Sequence, residues 1–357
     1  MRRKVLTILG TRPEIIRLSA VLPKLDKRCE HWVLHTGQNY DPNLHDIFFQ
    51  QLGLRPPDQQ LTSRGSLAQQ LAETFVGVEQ CLMSVKPDAV LVLGDTNSAL
   101  AAIVCERHGV PVYHMEAGNR CYDKSVPEEV NRKLIDSVSS LNLPYTELSR
   151  QNLLREGVAN DRIVVVGNPI GEVIAQQQHR IEASDILQKL NLIPNSYVVA
   201  TCHRAENVDN PQRLNSIVQA LEQISKTLPV IFSCHPKTKQ RLSNIEFDSS
   251  RITVLEPQGF HDWVKLEQQA KLAITDSGTV QEEMCLFKKP TLTIRHSTER
   301  PETVWCGSNI VTGLDTAAIL QAFDTALVMP TDWNLPEGYA VSNTSSRVIN
   351  VLMGNHV

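Results

Sequence analysis

Short apolar runs rich in β-branched residues recur along the 357 residues, with helix-length segments between them. This alternation limits the fold more than any single motif, because βα units bury their strands only in a parallel sheet covered by helices. In the first half the runs are Val5–Leu9, Trp32–His35, Ala89–Leu93, Val112–Met115 and Ile163–Val166. In the second they are Val198–Cys202, Val230–Cys234, Ile252–Leu255, Leu272–Thr275, Thr291–Ile294 and Ile310–Thr312. Leu67–Val85 and Pro211–Leu228 read as helices between strands. The expected class is α/β: two doubly wound domains facing one another across a cleft. At roughly 150 residues per domain, the length agrees. The strongest breaker cluster near the midpoint is Gly167-Asn168-Pro169-Ile170-Gly171, so the expected domains are residues 1–168 and 169–342.

Charge narrows the partners. Lys and Arg number 35 against 39 Asp and Glu, a formal charge of −4, which argues against binding along a nucleic-acid backbone. Local basic sites for a small anion remain compatible with it. The eight cysteines form no C-x-x-C pair, so neither zinc-ribbon nor thioredoxin spacing is present, no metal site is expected, and a reducing compartment is. Nothing resembles a signal peptide or the roughly 18 apolar residues of a membrane span. The expectation is a cytoplasmic protein with no membrane partner.

In open α/β sheets, ligands bind beyond the carboxyl ends of the strands. The turn after each run is therefore informative. Val5–Leu9 leads into Gly10-Thr11-Arg12-Pro13-Glu14, Trp32–His35 into Thr36-Gly37-Gln38, Ala89–Leu93 into Gly94-Asp95-Thr96, and Val112–Met115 into Glu116-Ala117-Gly118-Asn119-Arg120. Later come His203-Arg204-Ala205-Glu206, His235-Pro236-Lys237 and Asp276-Ser277-Gly278-Thr279. A single Asp after a strand is usually a helix cap. Seven polar clusters, all at the same ends, point to a site.

The chain lacks G-x-G-x-x-G after its first strand, a Walker loop and a G-x-S-x-G elbow. The first half instead supplies carboxylates, Asp95, Glu116 and Glu128-Glu129. The second supplies anion receptors: His203, Arg204, His235, Lys237 and Ser277-Gly278 opening a helix, where backbone N–H groups suit a phosphate. One half holding a diphosphate while the other offers acid and base groups fits a nucleotide-sugar enzyme. Glu128-Glu129 admits two readings. The pair either faces the ligand with Glu116, or follows Pro127 as ordinary acidic residues of a first helical turn.

Taken in order, these clusters resemble the non-hydrolysing UDP-N-acetylglucosamine 2-epimerase family. The resemblance rests on Gly10–Glu14, His35–Gln38, Gly94-Asp95-Thr96, Glu116-Ala117-Gly118, Pro127–Arg132, His203-Arg204, Asp276-Ser277-Gly278, Gln281-Glu282-Glu283 and Thr298–Glu302. It implies two Rossmann-like domains in a GT-B-like arrangement, with a C-terminal helix near 343–357 packing back on the first, and a homodimer. It further implies inversion at C2 of UDP-N-acetylglucosamine, by elimination of UDP to a 2-acetamidoglucal and its re-addition, without a cofactor. By the same match Asp95, Glu116, Glu128 and His203 are catalytic. Arg12, Arg17, Arg132, His235, Trp263, Ser277, Gly278, Thr279, Glu282 and Arg300 bind the UDP-sugar substrate. Trp263 reads equally as a core residue.

Departures from the family pattern bear on the sugar. Arg17 stands where many members have Lys, Thr279 where they have Gly, and Ala205 where they have Arg. Of two glutamines that serve a regulatory UDP-GlcNAc site in bacterial members, only Gln38 is kept. His35–Asp41, Gly118–Cys121 and Ser277-Gly278-Thr279 resemble a capsule and O-antigen branch, some of whose members form UDP-N-acetyl-L-fucosamine from its L-talose epimer. The alternatives are that enzyme, a hydrolysing epimerase, a glycosyltransferase, or a non-catalytic binder of nucleotide sugars.

Overall fold

The computed structural model describes residues 2–38, 42–234, 236–243 and 245–354. Among them two parallel six-stranded sheets form. The strands of the first are β1 (Lys4–Leu9), β2 (Glu30–His35), β3 (Gln59–Gln60), β4 (Ala89–Leu93), β5 (Val112–Met115) and β6 (Leu141–Leu143). The second contains β7 (Val198–Thr201), β8 (Val230–Ser233), β9 (Ile252–Leu255), β10 (Leu272–Thr275), β11 (Thr291–Thr293) and β12 (Asn309–Val311). The chain divides into two compact units, one of residues up to Gln176 together with those from Glu337 onward, the other Gln177–Pro336. The division falls inside the helix Ile170–Glu182.

The first sheet runs β3-β2-β1-β4-β5-β6 and the second β12-β11-β10-β7-β8-β9. Both are open parallel sheets of the doubly wound, Rossmann-like kind. In the first unit the strand order reverses between β1 and β4; in the second, β7 and β10 lie side by side at the centre. At such a switch point the connections leave on opposite faces and open a crevice at the carboxyl ends.

Strand composition explains the sheets. Every residue of β4, Ala-Val-Leu-Val-Leu, is buried, as parallel strands covered on both faces must be. The helix Leu67–Val85 buries Thr74, Gly77, Val78, Cys81, Leu82 and Val85, one stripe at helical spacing. It opens with a capping box in which Ser66 N–H donates to Gln69 Oε1 at 2.8 Å. Lys86 ends it in the left-handed region, φ +51°.

The last helix, Thr344–Met353, belongs to the first unit. Ser345 N–H donates to the buried Glu172 carboxylate at 2.8 Å, and Lys24 Nζ lies 3.3 Å from it and 2.8 Å from Ser346 Oγ. Arg3 adds a bond to the Gly354 carbonyl at 2.8 Å.

Two strand expectations change. Ile163–Val166 is no ladder strand; it touches β6 through one parallel bridge, Asn142 to Ile163, and through Val164 N–H to the Asn142 carbonyl. The sixth strand is Leu141–Leu143, whose central Asn and following Pro144 hide it from an apolar count. The two residues of β3 also carry no apolar signal; backbone pairing to Leu34 and His35 alone makes them a strand.

Candidate active site

In the first unit, chain turns after β1, β4 and β5 build one polar cluster. At the switch point, Glu14 opens the helix Arg12–Leu18 and accepts from Gly10 N–H (2.8 Å), Thr11 N–H (2.7 Å) and, across from β4, Thr96 Oγ1 (2.7 Å). Burial pushes its carboxyl above the ordinary 4.5, although all these donors pull the other way. Gly10 permits the close approach: a Cβ there would stand 2.0 Å from Thr36 Oγ1 and 2.2 Å from Ser98 Oγ. Ser98 in turn holds Gln38, whose Oε1 accepts from the Ser98 N–H at 3.1 Å. Residues 39–41 of that loop lie outside the described residues.

Asp95 follows β4, and its Oδ2 accepts from Arg132 Nη2 at 2.6 Å and Nε at 3.1 Å, while its side chain keeps 25% exposure. Arg132 also donates to Glu129 at 2.7 Å. Glu129 is buried and accepts from the backbone N–H groups of Cys121 (3.0 Å) and Tyr122 (3.1 Å), fixing the loop before its helix. Thus the Glu128-Glu129 pair divides. Glu129 faces inward as a structural acceptor, while Glu128 is half-buried in the first turn of Pro127–Val138.

Glu116 follows β5. Its carboxylate pairs with the buried Arg17 and accepts from Tyr145 Oη at 3.3 Å and Asn119 Nδ2 at 3.2 Å. Its backbone is left-handed, φ +66°, where a side chain crowds the following carbonyl. Below it Asp136 accepts the Gly118 N–H (3.1 Å) and lies 2.7 Å from Arg120 Nη1 and 2.9 Å from His114 Nδ1. Burial pushes the Asp136 carboxyl up, but His114 and Arg120 outweigh it and hold it below 3.8. Gly118, φ +80°, has the Ser149 carbonyl 2.2 Å from where a Cβ would stand, so only glycine lets the loop pack here.

In the second unit the cluster lies at the switch point between β7 and β10. Asp276, wholly buried, accepts from the backbone N–H groups of His203 (3.0 Å) and Arg204 (2.9 Å) and from Asn207 Nδ2 (3.1 Å). His203 Nδ1 is 3.2 Å from its Oδ1. Arg204 reaches on to Glu299 at 2.9 Å. Ser277 and Thr279 are half-buried about the start of the helix Gly278–Leu286.

The expected site residues therefore fall into groups. Arg17 and Arg132, expected on the substrate, are buried partners of Glu116 and Asp95. Glu282 and Arg300 are buried and paired with one another. Arg12 is exposed, its guanidinium 5.6 Å from the centre of the Phe48 ring. Trp263 is half-buried against the core of Ile186, Tyr197, Leu266 and Met284. His235 lies outside the described residues. Sequence reasoning passed over Tyr145, because it follows the strand that was itself missed, and gave Asp276 no role of its own.

A family model described as UDP-N-acetylglucosamine 2-epimerase matches residues 23–353. The chain belongs to this family. It is 40% identical to the UDP-N-acetylglucosamine 2-epimerase of Methanocaldococcus jannaschii over 98% of both chains. It is 36% identical to the UDP-2,3-diacetamido-2,3-dideoxy-D-glucuronate 2-epimerase of Pseudomonas aeruginosa, covering 98% of this chain and 99% of that one. Its fold is similar to the crystal structure of the M. jannaschii UDP-GlcNAc 2-epimerase in complex with UDP-GlcNAc and UDP. The TM-score is 0.93, with 38% identity over 98% of this chain and 99% of that one. As a member of the UDP-N-acetylglucosamine 2-epimerase family, the chain is a nucleotide-sugar epimerase with two Rossmann-like domains.

Proposed function

We propose that this family member interconverts UDP-GlcNAc and UDP-ManNAc through elimination and re-addition of UDP. The hydrogen at C2 has no adjacent carbonyl, so direct proton abstraction is slow. Elimination avoids this: a base takes the C2 proton, the C–H electron pair becomes the C1=C2 double bond, and the C1–O bond breaks to release UDP. Re-addition with a proton delivered to the opposite face gives the epimer. The observation that carries the reading is a pair of carboxylates, Asp95 and Glu116, just beyond neighbouring strands, each held by its own buried arginine.

In this reading Asp95, Glu116 and Glu128 exchange protons with the sugar and stabilise the oxocarbenium-like transition state. His203, Arg12, Ser277, Gly278 and Thr279, with His235, take the diphosphate, where charge grows as the C1–O bond breaks. Arg17 and Arg132 act on the substrate by holding the carboxylates in register. Glu282 serves the ribose hydroxyls, and Trp263, half-buried against the core, takes the uracil.

The sugar could differ from GlcNAc, since the P. aeruginosa relative is named for another one. The motifs shared with the L-fucosamine-forming branch favour the L-talose epimer as the second reading. Incubation with UDP-GlcNAc in D2O, followed by NMR, separates these. Deuterium at C2 with UDP-ManNAc formed is the expected result. Intact substrate without exchange overturns it and points to the 6-deoxy-L-sugar; free ManNAc with UDP marks a hydrolysing enzyme. The reading includes a cytoplasmic homodimer. Among the described residues no helix is long and apolar enough to cross a membrane, and sedimentation at the mass of two chains checks the dimer.

A further inference from the structure

We infer that Asp276 is a positioning residue that fixes which ring nitrogen of His203 carries the exchangeable proton. The register explains how the two meet. Thr201 of β7 pairs with Thr275 of β10, so the residues just beyond these strands stand side by side. Asp276 accepts the His203 backbone N–H at 3.0 Å, and its Oδ1 stands 3.2 Å from the ring Nδ1, within ion-pair distance. It is fully buried, whereas the His203 side chain is 47% exposed. Capping the turn after β7 requires only the bonds from the His203 and Arg204 backbone and the Asn207 side chain. The contact to the ring adds nothing to that cap; it determines the chemistry of the imidazole.

A carboxylate is negative and only accepts, so its position beside Nδ1 favours the tautomer with the proton on that nitrogen. Nε2 is then the nitrogen that gains and loses a proton, and Nδ1 stays committed through the cycle. When Nε2 is protonated, the imidazolium charge is balanced by Asp276; when it gives the proton up, the ring returns to the Nδ1–H tautomer. In the function proposed for this protein, on which this inference rests, Nε2–H serves a diphosphate oxygen as UDP departs and recovers its proton as UDP adds back. No net proton is consumed. A ring without this partner takes the Nε2–H tautomer that neutral imidazole prefers in water, and then has its lone pair on the wrong side.

The test begins with unliganded protein labelled with 15N at histidine. The His203 signals are assigned by their loss in His203→Gln, and the tautomer is read from the ring nitrogen shifts at a pH where the ring is neutral. The expected result is Nδ1–H. An Nε2–H ring in the unaltered protein overturns the inference. Asp276→Asn keeps an acceptor for the backbone N–H groups but turns an amide donor toward the ring. The neutral ring should convert to Nε2–H, and kcat should fall about 100-fold while KM stays within about threefold. Retention of kcat within about threefold also overturns it, as does a loss confined to KM. Should Asp276→Asn fail to fold, the tautomer of the unaltered protein still decides. The NMR arm needs no substrate. If the protein turns over no UDP-sugar, the proposed function fails while the action of Asp276 on the ring is read independently.

Discussion

Glu116 holds its backbone at φ +66° while its carboxylate pairs with Arg17, 99 positions earlier in the chain. A left-handed conformation costs a non-glycine residue about 1–2 kcal/mol. It persists where the surroundings over-determine it, as residues at functional sites often do. Here the surroundings are Arg17, Asn119 and Tyr145 on the side chain and the Leu143 carbonyl on the Glu116 N–H at 3.2 Å. Contacts from distant parts of the chain converge on one carboxylate, and each fixes where it points.

Because the pair is buried, removing one partner strands the other. Arg17→Met should lower stability by about 3–5 kcal/mol, read by urea unfolding. Arg17→Lys restores the charge without the planar fork and should recover only part of the loss. Unchanged stability of Arg17→Met would show that the pairing does not hold Glu116.

Asp95→Asn and Glu116→Gln keep shape and remove the proton-carrying group. Turnover in either variant should fall by about 1,000-fold or more, with UDP binding by calorimetry close to that of the unaltered protein. Normal turnover in one of them removes that residue from the catalytic set.

Acid should weaken the fold through His31. Its Nδ1 lies 2.6 Å from Asp26 and its Nε2 2.9 Å from Thr7 Oγ1. Burial pushes its pKa below the ordinary 6.5, against the opposing pull of Asp26. Between the lowered folded value and 6.5 the unfolded chain binds more protons, so stability is fully present above that window and declines as pH falls through it. Melting temperatures measured downward from about pH 7 should therefore decline in the unaltered protein and decline less in His31→Gln. His261, shifted the same way by burial and Arg180, keeps some slope in the variant.

Lys86→Gly should stabilise the protein by about 1 kcal/mol, since glycine takes the left-handed helix end without steric cost. Lys86 is exposed and sits at φ +51°. A fall in melting temperature would mean that its side chain packs in a way the helix end does not require.

Among the cysteines, Cys306 should alkylate first. The Cys285 and Cys306 sulfurs lie 3.8 Å apart, and the hydrogen bond between them draws the half-buried Cys306 thiol down to about 6 while Cys285 is pushed up. Cys121 is similarly exposed, but burial raises its thiol. Iodoacetamide at neutral pH followed by peptide mass mapping should find Cys306 modified well before Cys121. The reverse order would refute the Cys285 hydrogen bond as the controlling contact.

The alternation of apolar runs and helical segments determined the α/β class, and the turns after the runs determined where the chemistry-bearing residues lie. Both are local: a buried parallel strand must be continuously apolar, and a strand end must turn within a few residues. Strands without that signal escaped, and Gln59–Gln60 and Leu141–Leu143 are strands only because a neighbour offers them hydrogen bonds. Tertiary structure alone decided the partners: Arg17 with Glu116, Arg132 with Asp95, and Asp276 with His203. Arginine, aspartate and histidine at strand ends look alike in sequence whether they meet a ligand or one another. Which of these occurs depends on strand order and register, which bring side by side residues that the chain keeps far apart.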